Sequence, residues 1–311
     1  VTGSRAAGLL LGYAADLLLA DPRRGHPVAG FGRAAAALER RWWRDDRRAG
    51  MTYVVLLVGS AVALGLAAER TRRPLPRTAV TAVATWAVLG GTSLDREGGA
   101  IQQLLAEGRL DDARVRLTHL VGRDTSQLSE PEVVRAAVES LAENTSDAVV
   151  APLVWGAVVG VPGLLGYRAA NTLDAMVGHR SARYERFGWA AARLDDVLNL
   201  PGSRLTAAFS VLLGEDRRSA WRAWRRDAAR HPSPNAGPIE AAFAGALGIR
   251  LGGTNVYGAG TGQWVEHRAI MGDGRPPVRD DLARARCLAR RVGLAASAIA
   301  AGAAYRARPT N

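Results

Sequence analysis

The sequence predicts an all-α fold: a polytopic helical membrane protein with broken or re-entrant helices and an amphipathic cytoplasmic helical segment. Three observations predict it. The mean hydropathy of −0.04 is high for a chain with 41 basic residues and a net charge of +12, so the apolar residues must be gathered into blocks. Long strand-like alternation and internal repeats are both missing. Pro152 and "GVPG" interrupt the run "AVVAPLVWGAVVGVPGLLG", leaving halves too short to cross a bilayer.

The elements follow in order. Leu9 to Ala20 is apolar but short, and no small-residue cleavage pattern follows it, so no cleavable leader is expected there. Arg23 to Arg48 is strongly basic and sets Trp42 and Trp43 among arginines, the composition of a cytoplasmic membrane face. Met51–Ala68 and Thr78–Leu94 reach the roughly 17–25 apolar residues a spanning helix needs. Met51–Ala68 has no polar face to offer water. Residues 95–147 read as an amphipathic helical insertion, with His119 as a packing residue. Within it "SEPE", Ser129 to Glu132, has capping-box spacing and a proline in the first turn. It starts the helix that carries Glu143 and Asp147. Residues 167–291 hold polar motifs on loops and helices, and Val292–Tyr305 is a last, short apolar block. The whole of 1–311 reads as a single integral-membrane domain.

Composition removes several chemistries. No lysine occurs, which excludes a Walker-type phosphate loop and a pyridoxal Schiff base. The single cysteine, Cys287, excludes an intrachain disulfide and a thiolate metal cluster, and reads as an ordinary half-buried residue. The arginines flank apolar spans and form no continuous stripe, so nucleic acid is not an expected partner.

Oxygen-bearing side chains recur at helical spacing beside the apolar runs. Glu143 and Asp147 are four apart with Asn144 beside them, Asn171 and Asp174 are three apart, and Asn199 follows Asp195 and Asp196 by one turn. Carboxylates with amide oxygens and no cysteine suit a hard cation such as Mg²⁺, usually held together with substrate phosphates. Ionisable residues at membrane depth are costly and functional. Two loops add to this. "DLLLADPRRGHPVAGFGR" and "RHPSPNAGPIEAAFAGALGIRLGG" combine prolines, histidines, arginines and small polar residues in irregular loops, the second followed by a small-residue helix that carries Glu240, a cradle suited to an anion or phosphate.

The same stretches carry a resemblance. "GYAADLLLADPRRGHPVAGFGR", "SLAENTSDAVVAPL", "YRAANTLDAMVGHRSARYERFGWAAARLDDVLNLPGSRLTA" and "HPSPNAGPIEAAFAGALGIRLGG" resemble, in that order, the adenosylcobinamide-phosphate synthase family of cobalamin biosynthesis (CobD/CbiB, cobinamide synthase). The similarity covers Leu9 to Arg291. It implies a multi-pass enzyme of the inner membrane with its active site facing the cytoplasm. Such an enzyme joins adenosylcobyric acid, through a propionate carboxylate, to (R)-1-aminopropan-2-yl phosphate, with release of ADP and phosphate from ATP.

The residues fit such chemistry. A carboxylate must gain a leaving group, most simply as an acyl phosphate, before an amine can displace it. That step calls for Mg²⁺ and for arginines to hold the oxyanions. Glu143, Asp147, Asp174, Asp195 and Asp196 are the expected metal ligands. Arg23, Arg24, Arg168 and Arg180 are the expected phosphate donors. His26 and His231 are candidate bases for the amine, and Glu143, Asp147 and Asp174 join them as catalytic candidates. Asp16, Asp21, Asn144, Asn171, Ser233, Asn235 and Glu240 complete the substrate- and phosphate-binding set. Expected cofactors are ATP and Mg²⁺. Expected partners are the corrinoid, the amino-alcohol phosphate, membrane lipid and other enzymes of the pathway. The alternative is a non-catalytic corrinoid-binding or transport membrane protein, whose polar groups would be pathway residues.

Overall fold

The computed structural model describes residues 2–21, 25–71, 73–179, 181–257 and 264–306. Its helices run in order α1 (Thr2–Leu19), α2 (Pro27–Trp42), α3 (Arg47–Ala68), α4 (Pro74–Val88), α5 (Gly91–Ala106), α6 (Leu110–Leu117) and α7 (Glu130–Thr145). A π-helical turn, Ser146–Val150, leads to α8 (Ala151–Val158) and α9 (Val161–Leu173), and a second, Asp174–Gly178, follows α9. Then come α10 (Trp189–Leu213), α11 (Arg217–Asp227), α12 (Ala236–Leu247), strands β1 (Leu251–Tyr257) and β2 (Trp264–Met271), and α13 (Asp280–Arg306). The chain divides into two compact units: residues 1–90, 147–202 and 296–311 in the first, 91–146 and 203–295 in the second.

In the first unit small residues let helices approach closely. Gly8 and Gly12 of α1 lie against Thr81 and Thr85 of α4, with no room for a Cβ. Gly65 of α3 lies against Pro162 at the start of α9, where a Cβ would come within 2.6 Å of the proline Cα. A further cluster gathers Ala35, Tyr53, Leu173, Val177 and Phe187, and the Tyr53 hydroxyl donates to the Ala35 carbonyl at 3.1 Å.

The apolar run after Asp147 is broken where the sequence places its proline and glycines. Gly160 takes φ +89, a conformation open to glycine. The Val161 N–H that starts α9 donates to Glu69 Oε1 at 3.0 Å. α8 and α9 pack against each other, with Gly156 meeting the Leu164 side chain.

In the second unit the capping box forms as the sequence predicts: Ser129 and Glu132 cap α7, with Pro131 in its first turn. Arg135 and Glu139, one turn apart on α7, then secure the hairpin. Arg135 donates to the carbonyls of Gly252 at 2.6 Å and Thr254 at 3.0 Å. Glu139 accepts from the Gly252 N–H at 2.8 Å and from Arg123 at 2.6 Å. Gly252, at φ +83, sits at the register shift between Leu251 and Gly253, and that bulge turns its N–H and C=O toward the helix.

Four expectations are corrected. β1 and β2 form an antiparallel pair in a chain read as all-helical. Thr78–Leu94 is not one helix: α4 ends at Val88 and α5 begins at Gly91, with Leu89 extended at ψ 159 between them. In addition to α3, the helix long and apolar enough to cross a membrane is α13. Cys287 is exposed, and so is His119, which stands 3.3 Å from Glu97 rather than in a core.

Candidate active site

The residues singled out in the sequence fall into two groups, one in each unit. In the first unit Asp147 lies on the π-helical turn before α8, and Asp174 begins the turn after α9. Such turns widen the helix by one residue and re-aim side chains, and they recur at functional sites. The run between them doubles back at Gly160, and Asp147 and Asp174 both act electrostatically on Tyr167. Asp147, Asp195 and Asp21 all act electrostatically on the Arg168 guanidinium. Asn199 donates to Asp147 at 2.5 Å, and Asn171 bridges Arg168 and Asp195 at 3.3 Å on each side. Burial pushes the Asp174 carboxyl up to about 6, and the neighbouring Asp196 adds to this. Asp195 is also shifted upward, by burial first and by Asp174 second.

Tyr167 was missed by sequence reasoning. It is 2 % exposed, its hydroxyl has no hydrogen-bond partner among the described residues, and Asp147 and Asp195 act on it. Buried hydroxyls are ordinarily hydrogen-bonded, which makes Tyr167 a candidate ligand contact. Asp196 acts on Asp174, and both act on Asp195, so the cluster is rich in carboxylate oxygen, the donor type that Mg²⁺ takes; among the described residues these acids do not close to a common ligand distance.

His26 has a structural role. Its Nδ1 accepts the Val28 N–H at 3.1 Å as the N-cap of α2, and Nε2 faces Asp21 at 3.5 Å. Asp16 is buried on α1. Arg23, Arg24 and Arg180 lie outside the described residues.

The second group brings Glu143 of α7, Glu240 of α12 and His231 from the preceding loop within 4.8 Å of one another. Burial raises the Glu143 carboxyl and raises Glu240 well above the usual range, with Glu139 and Glu143 adding to the latter. His231 is held below its ordinary value by burial and by Arg268. Glu143 lines a cavity of about 160 Å³ with Arg123, Glu139 and Arg268. His231 lines another of about 460 Å³ with Arg204 and Trp224. Ser233 and Asn235 shape the loop: Ser233 Oγ accepts the N–H groups of Asn235 and Ala236 at 3.2 Å each, and Asn235 accepts from Arg204 at 3.0 Å. Asn144 turns its amide onto Ser140 of its own helix. Arg123, Arg135, Glu139 and Arg268 escaped sequence reasoning, since nothing in their spacing marks them as buried partners.

Fold and sites together define a helical protein with two helices long and apolar enough to cross a membrane and with buried carboxylate clusters, one in each unit, each beside an arginine. The chain belongs to the CobD/Cbib protein family, whose description matches residues 9–289. It is 54% identical over 310 residues to a cobalamin biosynthesis protein CobD of Mycobacterium tuberculosis (strain CDC 1551 / Oshkosh), covering 98% of each chain. It is 42% identical over 297 residues to the protein of that name from Rhodobacter capsulatus, covering 92% of this chain and 93% of the relative. It is 46% identical over 253 residues to that of Geobacter metallireducens, covering 78% and 80%. No solved structure matches.

Proposed function

We propose that the protein is the amide-forming ligase of its family, joining adenosylcobyric acid to (R)-1-aminopropan-2-yl phosphate at the expense of ATP, to give adenosylcobinamide phosphate. One observation carries this reading: the doubling back at Gly160 that gathers Asp147, Tyr167, Arg168, Asn171, Asp195 and Asn199. A propionate oxygen would attack the γ-phosphorus and ADP would leave. The amine nitrogen would then attack the acyl carbon, phosphate would leave, and the amine proton would pass to a base.

Mg²⁺, when bound, supplies neutralisation of phosphate charge. Asp147, Asp174, Asp195 and Asp196 would hold it, and Asn171 and Asn199 orient two of those carboxylates through their amide N–H groups. Arg168 would hold a phosphoryl oxygen and Tyr167 would donate to another. We place the protein in the membrane through α3 and α13, with the site on the cytoplasmic side, where ATP is available.

Turnover tests the reading. Purified protein given adenosylcobyric acid, the aminoalcohol phosphate and Mg-ATP should yield the amide product by mass and one ADP per amide. Corrinoid binding without product would leave the binding or transport reading instead.

A further inference from the structure

We propose that Glu143, His231 and Glu240 form a binding site for a divalent first-row transition cation, of the Zn²⁺ or Mn²⁺ class. The site lies in the second unit and does not depend on the ligase reading.

Three elements converge on it. α7 brings Glu143, α12 brings Glu240, and the proline-flanked loop before α12 brings His231, with one ligating atom of each within 4.8 Å of the others. The Glu240 side chain is 0% exposed, and the described residues offer its two oxygens no hydrogen-bond donor except the Glu143 carboxyl when that is protonated. His231 Nε2 is likewise without a hydrogen-bond partner and stands 3.6 Å from Glu240 Oε1, with its side chain 2% exposed. Buried carboxylate oxygens and imidazole nitrogens in native proteins are ordinarily satisfied. Here the unsatisfied atoms all face one another, so a shared cation would supply partners to all of them.

The donor set selects the cation. Two carboxylates and one imidazole suit Zn²⁺ or Mn²⁺, whereas Mg²⁺ favours oxygen alone. Three protein ligands leave positions open for water or substrate, and Glu143 and His231 each also line a cavity. Ser233 contacts His231 Nδ1 through both its N–H at 3.0 Å and its C=O at 3.3 Å. With Nδ1 protonated the carbonyl accepts, and Nε2 offers its lone pair toward Glu240, at the expense of the N–H contact. A backbone carbonyl on the far nitrogen is the usual support of a metal-bound histidine. Arg268 opposes a cation from 3.7 Å, but its guanidinium is also held at 2.8 Å by Glu266.

A proton shared between the two carboxyls is the rival occupant of this geometry. Full-length protein in detergent, stripped with chelator, saturated with Mg²⁺ and then titrated with Co²⁺, should develop visible d–d absorption saturating near one ion per chain. Zn²⁺ should displace it. Mn²⁺-loaded protein should show ¹⁴N modulation from one imidazole in pulsed EPR, which needs no variant. Glu240→Gln and His231→Gln should each weaken Co²⁺ binding at least tenfold, and Asp195→Asn should leave it unchanged. Folded wild-type protein that gives neither Co²⁺ bands nor ¹⁴N modulation would assign the cluster to proton sharing and overturn the proposal. The amide-forming assay would be unaffected by that result.

Discussion

Asp227 illustrates what a single carboxylate does for the second unit. Its side chain is fully buried, pairs with Arg226 at 2.7 Å and accepts the Gly272 N–H at 2.9 Å. Burial alone would raise its pKa, but Arg226, the Gly272 N–H and Arg230 outweigh it and hold the carboxyl below its ordinary value. A group depressed on folding stabilises the native state above its unfolded pKa, about 3.9, and loses that contribution as pH falls through the folded value. Asp227→Asn should therefore cost about 1.5–3 kcal/mol at pH 7 and flatten the acid limb of thermal stability below pH 4, read by melting in detergent. At the first site Asp195→Asn should lower turnover by about 10–100-fold, as lost ligand support does elsewhere, with melting little changed. The first-site residues were legible in sequence because helical spacing and the glycine break are local signals. Glu143, His231 and Glu240 were each named, but no spacing rule joins residues so far apart in the chain. Tyr167 was not named at all, since a tyrosine in an apolar run looks like core.

At the scale of elements, the two π-helical turns make the most specific demands. A Cβ at Gly178 would collide with the Asp174 carboxylate, so the glycine leaves that acid its position. Gly178→Ala should raise the Mg²⁺ concentration needed for half-maximal turnover, and excess Mg²⁺ should partly restore the rate. An unchanged Mg²⁺ requirement would detach Asp174 from the site. Gly160→Ala should cost about 1–3 kcal/mol in thermal stability, because φ +89 is strained for any residue with a Cβ. α7 was plain in the sequence from its capping box and α3 from its apolar length; α2 was not, because Pro27 to Arg33 reads as irregular backbone and is instead the first two turns of the helix. The hairpin was not, because its glycines mask alternation on β1 and its helix-side support, Arg135 and Glu139, is distant in sequence. α13 was undervalued because its first half is rich in arginine. Those arginines are matched by acids: Arg286 and Arg290 with Asp95 at 2.9 and 2.6 Å, and Arg284 with Glu215 at 2.5 Å.

At the scale of the molecule, α3 decides how the protein must be handled. Its most apolar window has a mean hydropathy of 2.1 and is 17% buried inside the protein, while Val55, Leu56, Leu64 and Leu66 are exposed. Transferring such a surface to water is unfavourable at roughly 25 cal/mol per Å². The protein should remain with the membrane pellet through carbonate and high-salt washes and leave it only with detergent. Release by salt alone would show that arginine–headgroup attraction holds it, and that α3 is covered in some other way.

The two units alternate along the chain, and this has a consequence for biogenesis. When residue 90 leaves the ribosome, α1 and α4 can already pair, but α3 still lacks α9, which is translated some seventy residues later. The face of α3 that α9 will cover must be sheltered during that interval. The second unit has the same dependence: α7 is made well before the hairpin that Arg135 and Glu139 hold. Neither unit can be obtained by trimming the gene from one end, and a nascent chain arrested between residues 146 and 203 should be more sensitive to protease than the finished protein.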